Sequence, residues 1–359
     1  MRIVLAGGGT GGPVTPLLAF VESWRQHEPQ TEWLWIGTTA GPEQLLVAPY
    51  GIQFKTISTG KLRRYWSIKN ITDPVRVLAG WWQSRQILKQ FRPDIVMAAG
   101  GLATVPVIWA AAGLRLPTIV HQSDIIPGLT NRLVQRAATV ITVAFEQTAK
   151  LLSQNKAVEW IGNPVRPSVL AATPAVAKDR FGLTETLPVV LITGGGIGAE
   201  QINTMTWAAL PELLERLYVI HITGVGKGTV IELPAHQAAR YRQYELLTAD
   251  MALAYAAADI VVSRAGLAAM TEVSALGKAT ILIPLAHSPQ VANAEWFAKL
   301  NAARLLPQAS AAGLTETIRR ILDNPGDRSQ LERNIKTAMK PGANEALVAI
   351  VARLTKQKK

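Results

Sequence analysis

The chain has no cysteine among its 359 residues, and histidine is scarce, with five in all. The missing cysteine excludes disulfide bonds, thiolate metal sites and cysteine nucleophiles. No pair of histidines stands at a close metal-ligand spacing. The sequence therefore predicts a protein without a bound metal or other cofactor.

Long apolar runs are also missing. No segment reaches the roughly 18 to 20 uninterrupted apolar residues that a membrane-spanning helix needs, so we expect none. Arg2 precedes only a short apolar stretch that runs directly into glycines, which is not the pattern of a signal peptide. These features predict a cytoplasmic protein.

The amino-acid composition indicates a folded, basic protein. Hydrophobic residues make up 48% of the chain and charged residues 17%, which excludes a disordered polymer. The length suits two domains of ordinary size. A net charge of +12 favours anionic partners such as phosphorylated substrates, anionic lipid or nucleic acid.

The positive charge is concentrated between residues 55 and 92, where nine basic residues accompany one acidic residue. Tryptophans at 66, 81 and 82 lie in the same stretch. Basic residues beside tryptophans are typical of a membrane interface. A solvated helix face with tryptophans in the core is the alternative, and no known nucleic-acid motif accompanies the stretch.

Short apolar runs alternate with helix-length segments along the chain. Continuous apolar strands separated by helices indicate parallel sheets covered on both faces, so the predicted fold class is α/β. In such folds the ligand lies beyond the carboxyl ends of the strands. The predicted strands are residues 2–6, 33–36, 95–98, 118–121, 140–143, 189–193, 218–222, 260–263 and 280–284. The predicted helices include residues 14–26, 41–50, 74–91, 104–113, 128–137, 199–217, 250–257, 265–275, 291–300, 312–323 and 344–354.

Two glycine-rich turns stand where a strand meets a helix, at residues 7–12 and 193–199. Such a turn leaves backbone N–H groups free at a helix N-terminus, where they can meet a phosphate or a sugar. One turn in each half predicts two nucleotide-binding-like domains with a cleft between them. Residues 161–167 carry two prolines and a glycine and mark the boundary. We therefore expect domains at residues 1–161 and 162–342, with a last helix at 343–359 packing back on the first.

Three polar clusters follow predicted strands. His121 and Asp124 combine the two commonest kinds of general base, although a structural histidine and a turn-capping aspartate fit the local sequence as well. Arg264 precedes Glu272, which is placed to accept hydrogen bonds from ribose hydroxyls, the alternative being a solvated helix carboxylate. Gln290 and Asn293 carry the neutral donor and acceptor groups that suit sugar hydroxyls.

In their order along the chain, these segments resemble the MurG family of peripheral membrane glycosyltransferases. The most specific marks are the string Gly-Asn-Pro-Val-Arg at 162–166 and the segment from Arg264 to Glu272. Further marks are residues 6–12, Gly100-Gly101, His121 with residues 128–131, Gly194-Gly195, Gly198-Ala199, Asp250-Met251, Pro284, and Gln290 with Asn293. The resemblance covers nearly the whole length.

The resemblance implies two facing Rossmann-like domains, the GT-B arrangement, and an inverting transfer that needs no metal. It implies that UDP-N-acetylglucosamine binds the C-terminal domain. The acceptor, the C4 hydroxyl of a lipid-linked muramyl-pentapeptide, would bind the N-terminal domain at the cytoplasmic face of the membrane. The implied donor-binding residues are Arg166, Gly195, Gly196, Thr248, Met251, Arg264, Glu272, Gln290 and Asn293. The implied acceptor or phosphate loop comprises Thr10, Gly11, Gly12 and Asn131. The implied membrane contacts are Lys61, Arg63, Arg64, Trp66, Lys69, Trp81 and Trp82.

The chain also departs from the family, mostly on the acceptor side. Pro13 stands where relatives carry histidine, Leu102 where they carry tyrosine, and Gln122 where they carry glutamate. Gly196 and Ile197 replace the usual serine and glutamine. Because proline cannot take a proton, His121 and Asp124 remain the candidates for the base. The departures leave two alternatives: transfer to a different lipid or small molecule, or a catalytically weak homologue that binds nucleotide sugar.

Overall fold

The computed structural model describes residues 1–60, 69–152, 157–196, 198–306 and 310–356. The chain divides into two compact units. The N-terminal unit comprises Met1–Arg166 and Lys340–Lys359, and the C-terminal unit comprises Pro167–Met339. The predicted membrane contacts Lys61, Arg63, Arg64 and Trp66 and the turn residue Ile197 lie outside the described residues.

The N-terminal unit is built on a seven-stranded parallel sheet with helices between its strands. The strand order is β3-β2-β1-β4-β5-β6-β7. Its strands are β1 Arg2–Ala6, β2 Glu32–Gly37, β3 Gln53–Thr56, β4 Ile95–Ala98, β5 Thr118–Gln122, β6 Val140–Val143 and β7 Ala157–Trp160. Its helices before the unit boundary are α1 Thr15–His27, α2 Glu43–Val47 with a 3-10 turn at Ala48–Tyr50, α3 Lys69–Phe91, α4 Thr104–Gly113, α5 Leu129–Val134 and α6 Glu146–Leu152.

The C-terminal unit repeats this plan on a six-stranded parallel sheet with the order β10-β9-β8-β11-β12-β13. Its strands are β8 Val189–Thr193, β9 Tyr218–Ile222, β10 Tyr241–Tyr244, β11 Ile260–Ser263, β12 Ala279–Leu282 and β13 Arg304–Leu305. Its helices are α7 Pro167–Ala171, α8 Pro174–Phe181, α9 Glu200–Leu213, α10 Ala235–Ala238, α11 Met251–Ala257, α12 Leu267–Leu276, α13 Gln290–Lys299, α14 Ala311–Asp323 and α15 Pro325–Thr337.

Strand β1 shows why the central strands are continuous apolar runs. Ile3 and Leu5 point into a core beneath one face of the sheet, while Val4 and Ala6 point into the core beneath the other. Successive side chains of a strand alternate between faces, so a strand buried on both faces has no polar positions. The sheet is therefore covered on both sides by helices.

The last helix, α16 Ala343–Lys356, belongs to the N-terminal unit. Its buried side chains Leu347, Ile350, Val351 and Leu354 join the core cluster that contains Ile3 and Leu5. α16 also packs against α1. Asn344 strengthens the attachment, since its side chain donates to Ser23 Oγ at 2.6 Å and to the Val165 carbonyl at 2.7 Å.

Candidate functional site

Both sheets reverse their strand order beside their first strand. In the N-terminal unit, β1 lies between β2 and β4, and in the C-terminal unit β8 lies between β9 and β11. Helices on either side of such a reversal leave a crevice at the carboxyl ends of the two strands. The two glycine turns follow β1 and β8, so each occupies the reversal point of its own sheet.

The first glycine turn is held by the carboxylate of Glu43, a residue that no sequence motif indicated. Glu43 is fully buried, and its Oε2 accepts the Gly9 N–H at 3.0 Å. Its Oε1 accepts the backbone N–H of Thr38 at 2.7 Å. A Cβ on Gly8 would lie 2.2 Å from Glu43 Oε1, and one on Gly41 would lie 1.8 Å from Oε2. The glycines therefore make room for this carboxylate.

Two further contacts fix the path of the same turn. The indole N–H of the buried Trp35 donates to the Gly7 carbonyl at 3.1 Å. Gly101 has a φ of +88°, and a Cβ there would lie 2.2 Å from the Gly8 carbonyl oxygen. The glycine pair after β4 thus packs directly on the first turn, which a larger residue would prevent. Of the predicted loop residues, Thr10 and Gly12 are exposed and Gly11 is half-buried.

His121 lies inside the N-terminal unit near the end of β5, and its side chain is buried, with 2% exposed. Its Nδ1 lies 2.9 Å from Thr142 Oγ1, and its Nε2 lies 2.6 Å from Asn163 Oδ1. Burial lowers the pKa of His121 from 6.5 to about 4, so the ring is neutral at pH 7. With both nitrogens occupied, the geometry favours the structural alternative for this histidine.

Gln122 and Asn131 hold the loop that carries Asp124. Gln122 Nε2 donates to the Asp124 carbonyl at 2.7 Å, and Gln122 Oε1 accepts from Asn131 Nδ2 at 2.6 Å. Asn131 Nδ2 also donates to the His121 carbonyl at 3.1 Å. Asn131 Oδ1 is buried without a hydrogen-bond partner in the described part of the chain. Asp124 itself is half-buried at the carboxyl end of β5.

The second glycine turn is shaped by the loop that follows β9. Gly198 has a φ of +67°, and a Cβ there would lie 2.1 Å from the Thr223 carbonyl oxygen. Gly195 has a φ of +83°, while a Cβ on Gly196 would meet only open space. Helix α9 follows directly, and the side chain of its N-cap, Ala199, makes no capping bond. The first N–H groups of α9 therefore lack this usual side-chain partner.

Arg264, which follows β11, hydrogen-bonds with the loop after β12 and with helix α9. Its Nη1 donates to the carbonyls of Ile283 and Pro284 at 2.9 and 3.2 Å, and its Nη2 donates to Gln201 Oε1 at 3.3 Å. Partial burial lowers the pKa of this guanidinium, which still remains protonated at neutral pH. Arg264 thus links the ends of β11 and β12 to the first turn of α9.

The side chains predicted to contact the sugar hold the neighbouring turn. Asn293 is buried and donates from Nδ2 to the Ala265 carbonyl at 3.1 Å. Gln290 Oε1 accepts the Leu285 N–H at 3.0 Å.

Glu272, in α12, is 2% exposed, which rules out the solvated-face alternative for this carboxylate. Thr248 and Met251 lie half-buried where the loop after β10 enters α11.

The matches to known protein families follow the division of the chain into an N-terminal and a C-terminal unit. The family model of the glycosyltransferase family 28 N-terminal domain matches residues 3–143, and that of the C-terminal domain matches residues 189–347. A protein of Lachnospira eligens is 40% identical over 82% of this chain and 83% of its own length. It is named UDP-N-acetylglucosamine–N-acetylmuramyl-(pentapeptide) pyrophosphoryl-undecaprenol N-acetylglucosamine transferase.

A Bacillus cereus transferase 2 of the same name is 33% identical over 99% of both chains. The chain belongs to the MurG family of glycosyltransferases. The crystal structure of Acinetobacter baumannii MurG shares the two-domain α/β fold, with a TM-score of 0.70 and 24% identity over 98% of this chain and 99% of that one.

The residues predicted to bind the donor lie in the C-terminal unit with one exception. Gly195, Gly196, Arg264, Gln290 and Asn293 follow the carboxyl ends of β8, β11 and β12, while Thr248 and Met251 follow β10 and Glu272 lies in α12. Arg166 is the exception, because it belongs to the N-terminal unit and hydrogen-bonds with the Tyr50 side chain there.

No group of three or more histidine or carboxylate side chains in the described ranges is arranged to hold a metal ion. Among those same residues, no helix is long and apolar enough to cross a membrane.

Proposed function

We propose that this MurG-family chain transfers N-acetylglucosamine from UDP-N-acetylglucosamine to a muramyl-pentapeptide carried on a lipid diphosphate. The names of its relatives support both substrates. The observation that carries the donor assignment is the second glycine turn, which lies at the reversal point of a Rossmann-type sheet. A helix N-terminus at this place suits a nucleoside diphosphate.

The proposed reaction inverts the anomeric carbon. The C4 hydroxyl of the acceptor sugar attacks the anomeric carbon, the bond to the diphosphate breaks, and UDP leaves with the bonding electrons. The N-terminus of α9, which follows the second glycine turn, would stabilise the charge that develops on UDP. Bringing the two substrates together supplies a further large part of the acceleration.

Asp124 is the better of the two candidates for the base. A general base must lie within hydrogen-bond reach of the proton that it takes. His121 is 2% exposed and both of its ring nitrogens have partners, whereas Asp124 is half-buried at the carboxyl end of β5. Gln122 and Asn131 instead hold the loop of Asp124 in place.

The direct test is to incubate the pure protein with labelled UDP-N-acetylglucosamine and the lipid-linked muramyl-pentapeptide. We expect a labelled disaccharide lipid. Labelled product on a different acceptor from a panel, with none on this lipid, would favour the first alternative. UDP binding by calorimetry with no product on any acceptor would favour the weak homologue and contradict the proposal.

We also propose that α3 docks this unit on an anionic membrane. Val75, Leu78 and Trp82 lie on one face of α3 and are 57 to 67% exposed, whereas Trp81 packs partly against the core. Arg76 is exposed on the same helix, which begins at Lys69. Exposed apolar side chains among cations are typical of a helix lying in the headgroup region.

Flotation with vesicles containing anionic lipid tests this surface. We expect Trp82→Ser to weaken binding severalfold, because it removes an exposed ring from the lipid interface. Val176→Ser, which changes an exposed apolar residue of the C-terminal unit, is the matched control and leaves binding unchanged. Equal binding of Trp82→Ser and the unchanged protein would rule out this face of α3.

A further inference from the structure

The loop after β9 places a lysine against the second glycine turn. Lys227 is exposed, and its Nζ lies 3.5 Å from the Gly198 carbonyl oxygen. The backbone of this loop touches the turn as well, since a Cβ on Gly198 would lie 2.8 Å from Gly224 Cα. The ammonium group therefore lies beside the turn that leads into α9.

The loop of Lys227 is fixed at both ends. The Gly224 N–H donates to the Glu245 carbonyl at 3.0 Å, and the Lys227 N–H donates to the Gly224 carbonyl at 3.1 Å, closing a tight turn. Beyond the lysine, Gln243 Nε2 donates to the Thr229 carbonyl at 2.9 Å. The lysine thus sits near the tip of an anchored turn between β9 and β10.

A chain of polar groups links these anchors, buried at Asn203 and His221 and half-buried at Tyr241 and Gln243. Asn203 Nδ2 donates to the Thr223 carbonyl at 2.9 Å, and Asn203 Oδ1 lies 3.1 Å from His221 Nε2. His221 Nδ1 lies 2.9 Å from the Tyr241 hydroxyl, which donates to Gln243 Oε1 at 3.0 Å. Asn203 holds the start of the loop and Gln243 its far side, so the whole loop is positioned from within the unit.

The charged side chains around the second glycine turn favour a role for Lys227 in binding an anion. Arg264, the nearby cation, donates to two carbonyls and to Gln201. Glu200, in the first turn of α9, and Glu245 are both exposed and would repel an anion. Lys227 is an exposed cation in contact with the turn.

We infer that Lys227 binds the diphosphate of the nucleotide donor, an inference that rests on the proposed function. A lysine ammonium forms charge-assisted hydrogen bonds to phosphate oxygens from a flexible stem. When the bond between the sugar and the diphosphate breaks, the bonding electrons remain on UDP. Lys227 would stabilise that charge while keeping its own proton.

The test compares the affinities of UDP and uridine by calorimetry in the full chain. We expect Lys227→Met to lower the affinity for UDP about ten- to a hundredfold and to leave that for uridine unchanged, because only UDP carries the diphosphate. Lys227→Arg should retain most of the UDP affinity. Lys299→Met, at an exposed lysine in the last turn of α13, is the control and should match the unchanged protein.

The outcomes separate this inference from the function on which it rests. If the unchanged protein fails to bind UDP, the proposed function is wrong. If it binds UDP and Lys227→Met binds both ligands as the unchanged protein does, the inference is overturned. An equal loss of UDP and uridine affinity would also overturn it, because the lysine would then support the shape of the site rather than the diphosphate.

Discussion

Asp124 and His121 lie three residues apart, but His121 is buried whereas Asp124 is half-buried. We expect Asp124→Asn to lower kcat by about 10²- to 10⁴-fold, the usual contribution of a general base, while UDP affinity stays unchanged. Ser123→Ala, which removes only the hydroxyl that donates to Asn163, is the neighbouring control and should change kcat a few fold at most. A full kcat in Asp124→Asn would show that another group takes the proton.

His221 is fully buried in the C-terminal unit. Burial lowers its pKa from 6.5 to about 4, so the unfolded chain binds this proton more tightly than the folded one. Stability that is complete above pH 6.5 is therefore lost as the pH falls toward 4, by about 3 kcal/mol. Urea unfolding at pH 7 and pH 4 should show a smaller loss in His221→Gln. Equal losses in both proteins would mean that His221 does not titrate in this way.

At the scale of elements, the second glycine turn tolerates a side chain at one position and not at another. Gly198→Ala forces a left-handed φ on alanine and drives its Cβ into the Thr223 carbonyl. We expect a loss of about 1 to 3 kcal/mol in the free energy of unfolding, together with weaker UDP binding. Gly196→Ala, two residues away, faces open space and should stay within about 0.5 kcal/mol. Chemical denaturation of both variants checks this, and equal losses would contradict it.

The sequence predicted the central strands of both sheets and missed their edge strands. The apolar runs predicted nine strands, and each corresponds to a strand of the structure within two residues at either end. The structure adds β3, β7, β10 and β13, and all four are sheet edges. Edge strands have a neighbour on one side only, and these four include charged or polar residues. Their sequences therefore lack the apolar signal, and only pairing with the neighbouring strand defines them.

At the scale of the whole molecule, the last helix completes the N-terminal unit from the far end of the chain. Leu347→Ala should lower the free energy of unfolding of that unit by about 2 to 5 kcal/mol, because it leaves a cavity in the core with Ile3 and Leu5. Hydrogen exchange should show faster opening of β1 and β4 and unchanged protection of β8. Lys356→Ala, on the exposed side of the same helix, is the control. Unchanged exchange at β1 would contradict this assignment.

The amino-acid sequence alone specifies the parallel α/β plan, the two glycine turns and the family, because central strands and phosphate-binding turns impose local patterns on the chain. Folding determines which polar groups are accessible. His121 is buried against Thr142 and Asn163, which are distant in sequence. Glu43 and Lys227 acquire their importance in the same way, from packing against glycine turns 34 and 29 residues away. Such long-range neighbours leave no periodic signal, since only folding brings them together.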